Sequence, residues 1–274
     1  VRVECQPLIS LTYKGLPQQA VGPVLTPANP TAKFDMKVYE GTEEKPAYTI
    51  GMRHVIVDWA PGGAGIIVNE MLSVVNPADK AWLGAPGAEG TERVTFGLPL
   101  PAHAAGVKLV DGFDDATAQI QPEGVLSNAP LFPGPTQFRV AYALTAQDGA
   151  VTLSITAPAD VGQMMVFVPA EGANVSAVGL AGGDEMSMGE NRVRAFHGSN
   201  IKRGQTVTLT ITGLKAAPAV APAIANASGF TAKNVAVGGG LLLALCGVGL
   251  LFLKKPKVAP AAAANQDNPK TRRT

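Results

Sequence analysis

The chain of 274 residues carries a formal net charge of +1, with 16% charged and 5% aromatic residues. It therefore lacks both a basic surface for phosphates and a set of stacking aromatics, which excludes nucleic-acid binding. Cys5 lies near the start of the chain and Cys246 within an apolar run near the end, so there is no disulfide framework. We expect Cys5 to be a buried or an intermolecular thiol.

The N-terminal residues 1–34 are rich in proline and contain one short period-two segment, Leu8–Tyr13. This composition predicts an extended N-terminal arm with a possible strand. The chain opens at Val1 without a charged and apolar leader, so we expect a mature protein whose export signal has been removed.

Residues 35–214 consist of short alternating segments separated by glycine and proline. The clearest predicted strands are Phe138–Leu144, Val151–Ile155 and Val207–Ile211. The turn residues 147–149, Gln-Asp-Gly, predict that the first two of these form a hairpin. Weaker predicted strands are His54–Trp59, Gly65–Val75, Arg93–Leu98, Val107–Val110, Gln163–Val168 and Asn174–Val178, with a hairpin loop at residues 62–65.

At least nine strands are predicted, with no helices between them. They cannot build a parallel α/β sheet, because the crossovers of such a sheet need helices. The pattern instead predicts that residues 35–214 form an antiparallel β-sandwich domain. Whether it is one sandwich or two, divided near residues 145–150, is left open by the sequence.

The pattern of residues 215–274 predicts a membrane anchor. Residues 215–233 form a stalk of alanine, proline and small polar residues, and residues 254–274 a basic tail. Between them, residues 234–253 are free of charge and, at about 1.5 Å per residue, long enough to cross a bilayer once. The positive charges after this predicted transmembrane helix place the tail in the cytoplasm and the domain outside.

Small residues recur along one stripe of the predicted helix, where another helix backbone could approach closely. They are Ala236, Gly240, Ala244 and Gly247. The alternative is that glycine is simply tolerated in transmembrane helices, and the two interpretations have equal weight.

Candidate metal ligands occur at Met186, Met188 and His197, since thioether and imidazole groups suit copper(I) in an exported protein. The same stretch is equally typical of a polar loop that leads into a strand, which is the interpretation we favour. We therefore predict no catalytic residue, no cofactor and no metal.

Two further clusters have structural explanations. His54 and Asp58 are four residues apart on one face of a predicted strand, where a structural hydrogen-bonded pair is favoured over a catalytic one. Asp111, Asp114 and Asp115 could offer oxygen ligands to calcium, but aspartate and glycine are also what a turn between strands requires, and we favour the turn.

Four segments carry a family resemblance: VNEMLSVVNPADKAWLG, TFGLPLPAHAAGVKLVDGF, LFPGPTQFRVAYAL and QMMVFVPAEGANVSAVGL. Their order, over about residues 66–253, resembles a loosely defined set of bacterial exported β-sandwich proteins that often carry a C-terminal membrane helix. The resemblance implies a bacterial envelope location and no assigned reaction.

Together these features predict a non-catalytic accessory subunit of a bacterial membrane complex, held in the cytoplasmic membrane with its domain in the periplasm. Its expected partners are the lipid bilayer and other membrane-protein subunits, which contact its helix and its external domain. An energy-converting assembly, respiratory or photosynthetic, is a reasonable host by analogy. The alternative is a free, membrane-anchored envelope module that binds a metal or a small ligand.

Overall fold

A computed structural model describes residues 4–85, 93–114 and 117–215. In these ranges the chain is mainly β, as the alternating pattern predicts, and its one helical element is a 3₁₀ turn at Pro61–Gly63. The strands are β1 Leu8–Tyr13, β2 Leu16–Val21, β3 Gly41–Thr42, β4 Thr49–Trp59, β5 Gly65–Asn76, β6 Ala81–Trp82, β7 Phe96–Pro99, β8 Ala105–Asp111, β9 Gln119–Gln121, β10 Gly124–Ser127, β11 Gly134–Thr145, β12 Ala150–Thr156, β13 Val161–Pro169, β14 Asn174–Val178, β15 Ala181–Met188, β16 Asn191–Ile201 and β17 Thr206–Thr212.

A large seven-stranded sheet dominates the fold, with strand order β15-β16-β13-β4-β5-β11-β8. Two three-stranded sheets, β7-β10-β9 and β12-β17-β14, accompany it. The prediction of purely antiparallel pairing is wrong at the centre of the large sheet, where β4 and β13 run parallel. More than a hundred residues separate these two strands, so no short connection forces an antiparallel partner.

One hydrophobic core joins these three sheets. Alternate residues of the long strands face it, for example Phe138, Val140, Tyr142 and Leu144 of β11. They pack in one cluster with Val151, Leu153 and Ile155 of β12 and with their counterparts Val207, Leu209 and Ile211 of β17. The period-two pattern that predicted these faces is confirmed, since successive side chains of a strand point to opposite faces.

The predicted hairpin between β11 and β12 is wrong, although its turn is present. Gln147 and Ala150 form a single bridge, and Asp148 and Gly149 both adopt positive φ. Beyond the turn the strands separate, because β11 pairs with β5 and β8 while β12 pairs with β17. The turn therefore carries the chain from one sheet to another.

The N-terminal arm contains the predicted strand β1, and the structure adds β2, which pairs with it as a hairpin. Gln18 ties this hairpin to the segment ahead of β3, because its amide donates to the Tyr39 carbonyl and accepts from the Tyr39 N–H, both at 2.8 Å. The Cys5 side chain is exposed, so the expectation of a buried thiol is wrong and the intermolecular one stays open.

The predicted stalk from residue 216, the membrane span 234–253 with its small-residue stripe and the basic tail lie outside the described residues. Within the ranges that are described, no helix combines the length and apolar character needed to cross a bilayer.

Candidate functional site

A buried polar network lies inside the core, on the adjacent strands β4, β5 and β11 of the large sheet. Arg53 donates from Nε and Nη2 to Glu70 Oε2, at 2.8 and 2.6 Å, and Tyr142 donates to Glu70 Oε1 at 2.6 Å. Arg53 Nη1 also donates to the Thr156 carbonyl at 2.9 Å. Burial and the Glu70 charge raise the pKa of Tyr142 well above its usual value, so its hydroxyl remains a donor.

The side chains of this network satisfy one another by hydrogen bonds. All three are almost completely buried. A substrate could reach none of them, so the network holds the three strands together rather than forming a reaction centre. The alternating apolar pattern gave no sign of it, because Arg53 and Glu70 simply occupy core positions on their strands.

The second face of the large sheet has a different character. Its side chains on β4, β5 and β13 do not belong to the hydrophobic core cluster, which uses the opposite face. Of the seven methionines in the chain, five lie on this second face, and so do two of the three histidines. These side chains are Met52, His54, Met71, Met165, Met186, Met188 and His197.

Strand register places four of these side chains in one row. His54 on β4 is opposite Met71 on β5 and, on its other side, opposite Met165 on β13. Met165 is in turn opposite His197 on β16. Because directly paired residues share a face and adjacent strands lie about 4.8 Å apart, the row spans roughly 14 Å from end to end.

The buried member of this row is His54, whose side chain is 3% exposed. Its ring packs edge-on against Phe167 of β13, with ring centroids 6.3 Å apart, and its Nδ1 has no hydrogen-bond partner. Burial lowers the pKa of His54, which favours the neutral imidazole. At the β5 end of the row, the Met71 sulfur lies 3.9 Å from Arg139 Nη2, on the side away from His54.

The candidate ligands Met186, Met188 and His197 are not brought together. They lie in a β15–β16 hairpin and not in the polar loop that we favoured. Met186 is opposite Val193, and Val193 lies four residues before His197 on β16. Four residues of strand correspond to about 13 Å, too far for one metal ion. His197 instead has Met165 and His54 as its neighbours in the row, residues that lie 32 and 143 positions away in the sequence.

The described residues of the other two clusters do not form sites. The predicted hydrogen-bonded pair of His54 and Asp58 is wrong, because four residues of β4, about 13 Å, separate them. In the aspartate segment, the Gly112 N–H donates to Asp111 Oδ1, and Asp114 accepts turn hydrogen bonds through its carbonyl, while Asp115 lies outside the described residues. No group of three or more His, Cys, Asp or Glu side chains in the described ranges could hold a metal ion.

Exposed apolar side chains concentrate in the N-terminal arm. Of the ten large hydrophobic residues exposed in the described ranges, five lie in the arm: Leu8, Tyr13, Val21, Val24 and Phe34. Leu8 and Val21 are paired across the β1–β2 hairpin, 61% and 59% exposed, on the face opposite to buried Leu16 and Gln18. The hairpin thus packs one face on the body of the protein, and its other face exposes a small apolar patch, the pair Leu8 and Val21, beside the polar pair Ser10 and Gln19.

Comparisons with known proteins show no family for this chain. No protein-family model matches it, and no curated protein matches it. Among solved structures it is similar to an M1 zinc metallopeptidase from Deinococcus radiodurans, at 14% identity and a TM-score of 0.35, covering 61% of this chain and 42% of that one. The yeast delta-COP-I mu-homology domain, in complex with a Dsl1 WxWxV peptide, matches at 12% identity and a TM-score of 0.19, over 65% of this chain and 79% of that one. The chain spans less than half the length of the first of these structures, and neither likeness carries an argument about function.

Proposed function

We propose that the chain is a non-catalytic accessory subunit of a bacterial membrane-protein complex. In this proposal a mainly antiparallel β-sandwich on the periplasmic face is held by a single C-terminal membrane span, and other subunits contact both parts. Energy-converting assemblies, respiratory or photosynthetic, are the proposed hosts.

The apolar patch of the N-terminal arm carries this proposal. Single exposed hydrophobic residues are ordinary on a protein surface, whereas two that lie in contact offer a partner a continuous, if small, apolar surface. Leu8 and Val21 lie side by side on a hairpin whose other face is fastened by Gln18. A partner with an apolar outer surface would cover this patch and exclude water from it.

The experiment is gentle solubilisation of the membrane followed by native electrophoresis and mass spectrometry. The wild-type chain is expected to migrate with partner subunits, and a Leu8→Glu/Val21→Glu double variant to migrate without them. Val178→Glu is the matched control, because Val178 is 74% exposed but lies on β14 outside the arm. A wild-type chain that migrates alone contradicts the proposal.

A second candidate function is a free envelope module that binds a metal, and the methionine and histidine side chains of the second sheet face favour it. Migration after solubilisation distinguishes the free metal-binding module from the accessory subunit. The free module migrates alone after solubilisation and retains its ligand, whereas the accessory subunit is found with its partners.

A further inference from the structure

We propose that the second face of the large sheet holds a copper(I) ion between His54, Met165 and His197. The three residues occupy adjacent positions on β4, β13 and β16, with Met165 directly paired to both histidines. No single stretch of sequence contains this set, and only the register of the sheet assembles it.

The spacing suits one ion. The two histidines flank Met165 at one strand spacing on either side, so their backbones are about 9.6 Å apart. Two imidazole side chains that lean toward each other, with a metal–nitrogen bond of about 2 Å at each end, span such a gap above the central strand. The His54 ring contacts the ring of Phe167, which lies two residues beyond Met165 on the same face of β13.

The unpartnered nitrogen of His54 is the second observation. A buried polar atom without a hydrogen bond costs about 1–3 kcal/mol, so a ligand that binds this atom offsets that cost. Coordination of a metal at this imidazole would satisfy it. The side chain is 3% exposed and its ring is fixed against Phe167, so the ligand is already held in place.

The ligand types select the metal. Thioether sulfur is a soft ligand that binds copper(I), whereas calcium and magnesium require oxygen ligands. The positions next to this set along the three strands on the same face are Met52, Ile56, Gln163, Phe167, Ala195 and Ser199, none of which is a carboxylate. Met71 is not included, because its sulfur lies against Arg139, and a cation beside the ion would oppose binding.

This site requires only the register of the large sheet and does not depend on docking of the N-terminal arm. The copper site and the proposed role as an accessory subunit can therefore fail separately. The test is transfer of copper(I) to the full-length chain in mild detergent from a chelator whose copper complex is coloured. Cys5→Ser and Cys246→Ser are present throughout, since free thiolates would also bind copper. X-ray absorption then reports whether nitrogen and sulfur surround the ion.

One copper(I) per chain, with mixed nitrogen and sulfur ligands, is the expected result. Met165→Leu and His197→Gln should each weaken binding at least tenfold. His197 is exposed, so its variant keeps the fold, which near-UV circular dichroism verifies. Met186→Leu is the matched control on the same face and should bind as the parent does.

Three results would overturn the inference. They are no transfer of copper to the parent chain, equal affinity in the Met165→Leu and His197→Gln variants while the fold is intact, and loss of binding in Met186→Leu. The last result would move the ion to the β15–β16 hairpin.

Discussion

Replacing Glu70 by glutamine tests how much the buried network contributes to stability. The substitution keeps the volume of the side chain but removes its charge, so the guanidinium of Arg53 remains buried without a counterion. Both partners are almost completely buried, and three hydrogen bonds of 2.6–2.8 Å end on the Glu70 carboxylate. Breaking a buried ion pair from one side costs about 3–5 kcal/mol.

That loss is a large part of the 5–15 kcal/mol by which a domain is typically stable. For a domain of about 200 residues, each kcal/mol corresponds to about 2–4 °C in the midpoint of thermal unfolding. Glu70→Gln is therefore expected to lower the midpoint by roughly 6–20 °C, measured by circular dichroism on the full-length chain.

A triple variant separates the charge from the packing. Arg53→Met, Glu70→Leu and Tyr142→Phe together replace the network by apolar side chains of similar size, and such replacements are often neutral or stabilising. The triple variant should recover most of the stability that Glu70→Gln loses. A Glu70→Gln midpoint within about 2 °C of the wild type, or a triple variant less stable than the single one, would refute the reasoning.

Two further predictions concern the same strands and a turn beside them. Because the folded chain raises the pKa of Tyr142 while an unfolded tyrosine ionises near pH 10, the unfolded state loses this proton first, and stability should fall as the pH rises above about 10. Denaturant titrations from pH 8 to 11 should show a smaller decline in Tyr142→Phe, and an equal decline in both proteins would contradict this. Gly112→Ala should cost about 1–3 kcal/mol more than Gly204→Ala, since both glycines have positive φ but only at residue 112 would a Cβ lie 1.9 Å from the Gln137 carbonyl oxygen. Urea unfolding midpoints compare the two variants, and equal losses would show that the clash is relieved by movement of the backbone.

The sequence alone determined the strands and their faces where the alternation was long. In β11 the two faces were predicted residue by residue, because period-two alternation is a local property of the chain. The short strands β3, β6, β9 and β10 were missed because two to four residues are too few to show alternation, and β2, β15 and β16 because prolines, glycines and charged residues interrupt their pattern. Most of β16 was interpreted as a polar loop for that reason.

Only the tertiary structure decided which strands are neighbours. The alternation of β11 is equally compatible with β12, β5 or β8 as a partner, and the parallel pairing of β4 with β13 has no local sequence signal at all. Pairing between distant strands depends on burial of whole faces, which no short segment encodes. For the same reason the sequence pointed to methionine and histidine as candidate ligands but grouped them by proximity in the chain, whereas the sheet register puts His197 beside Met165 and His54.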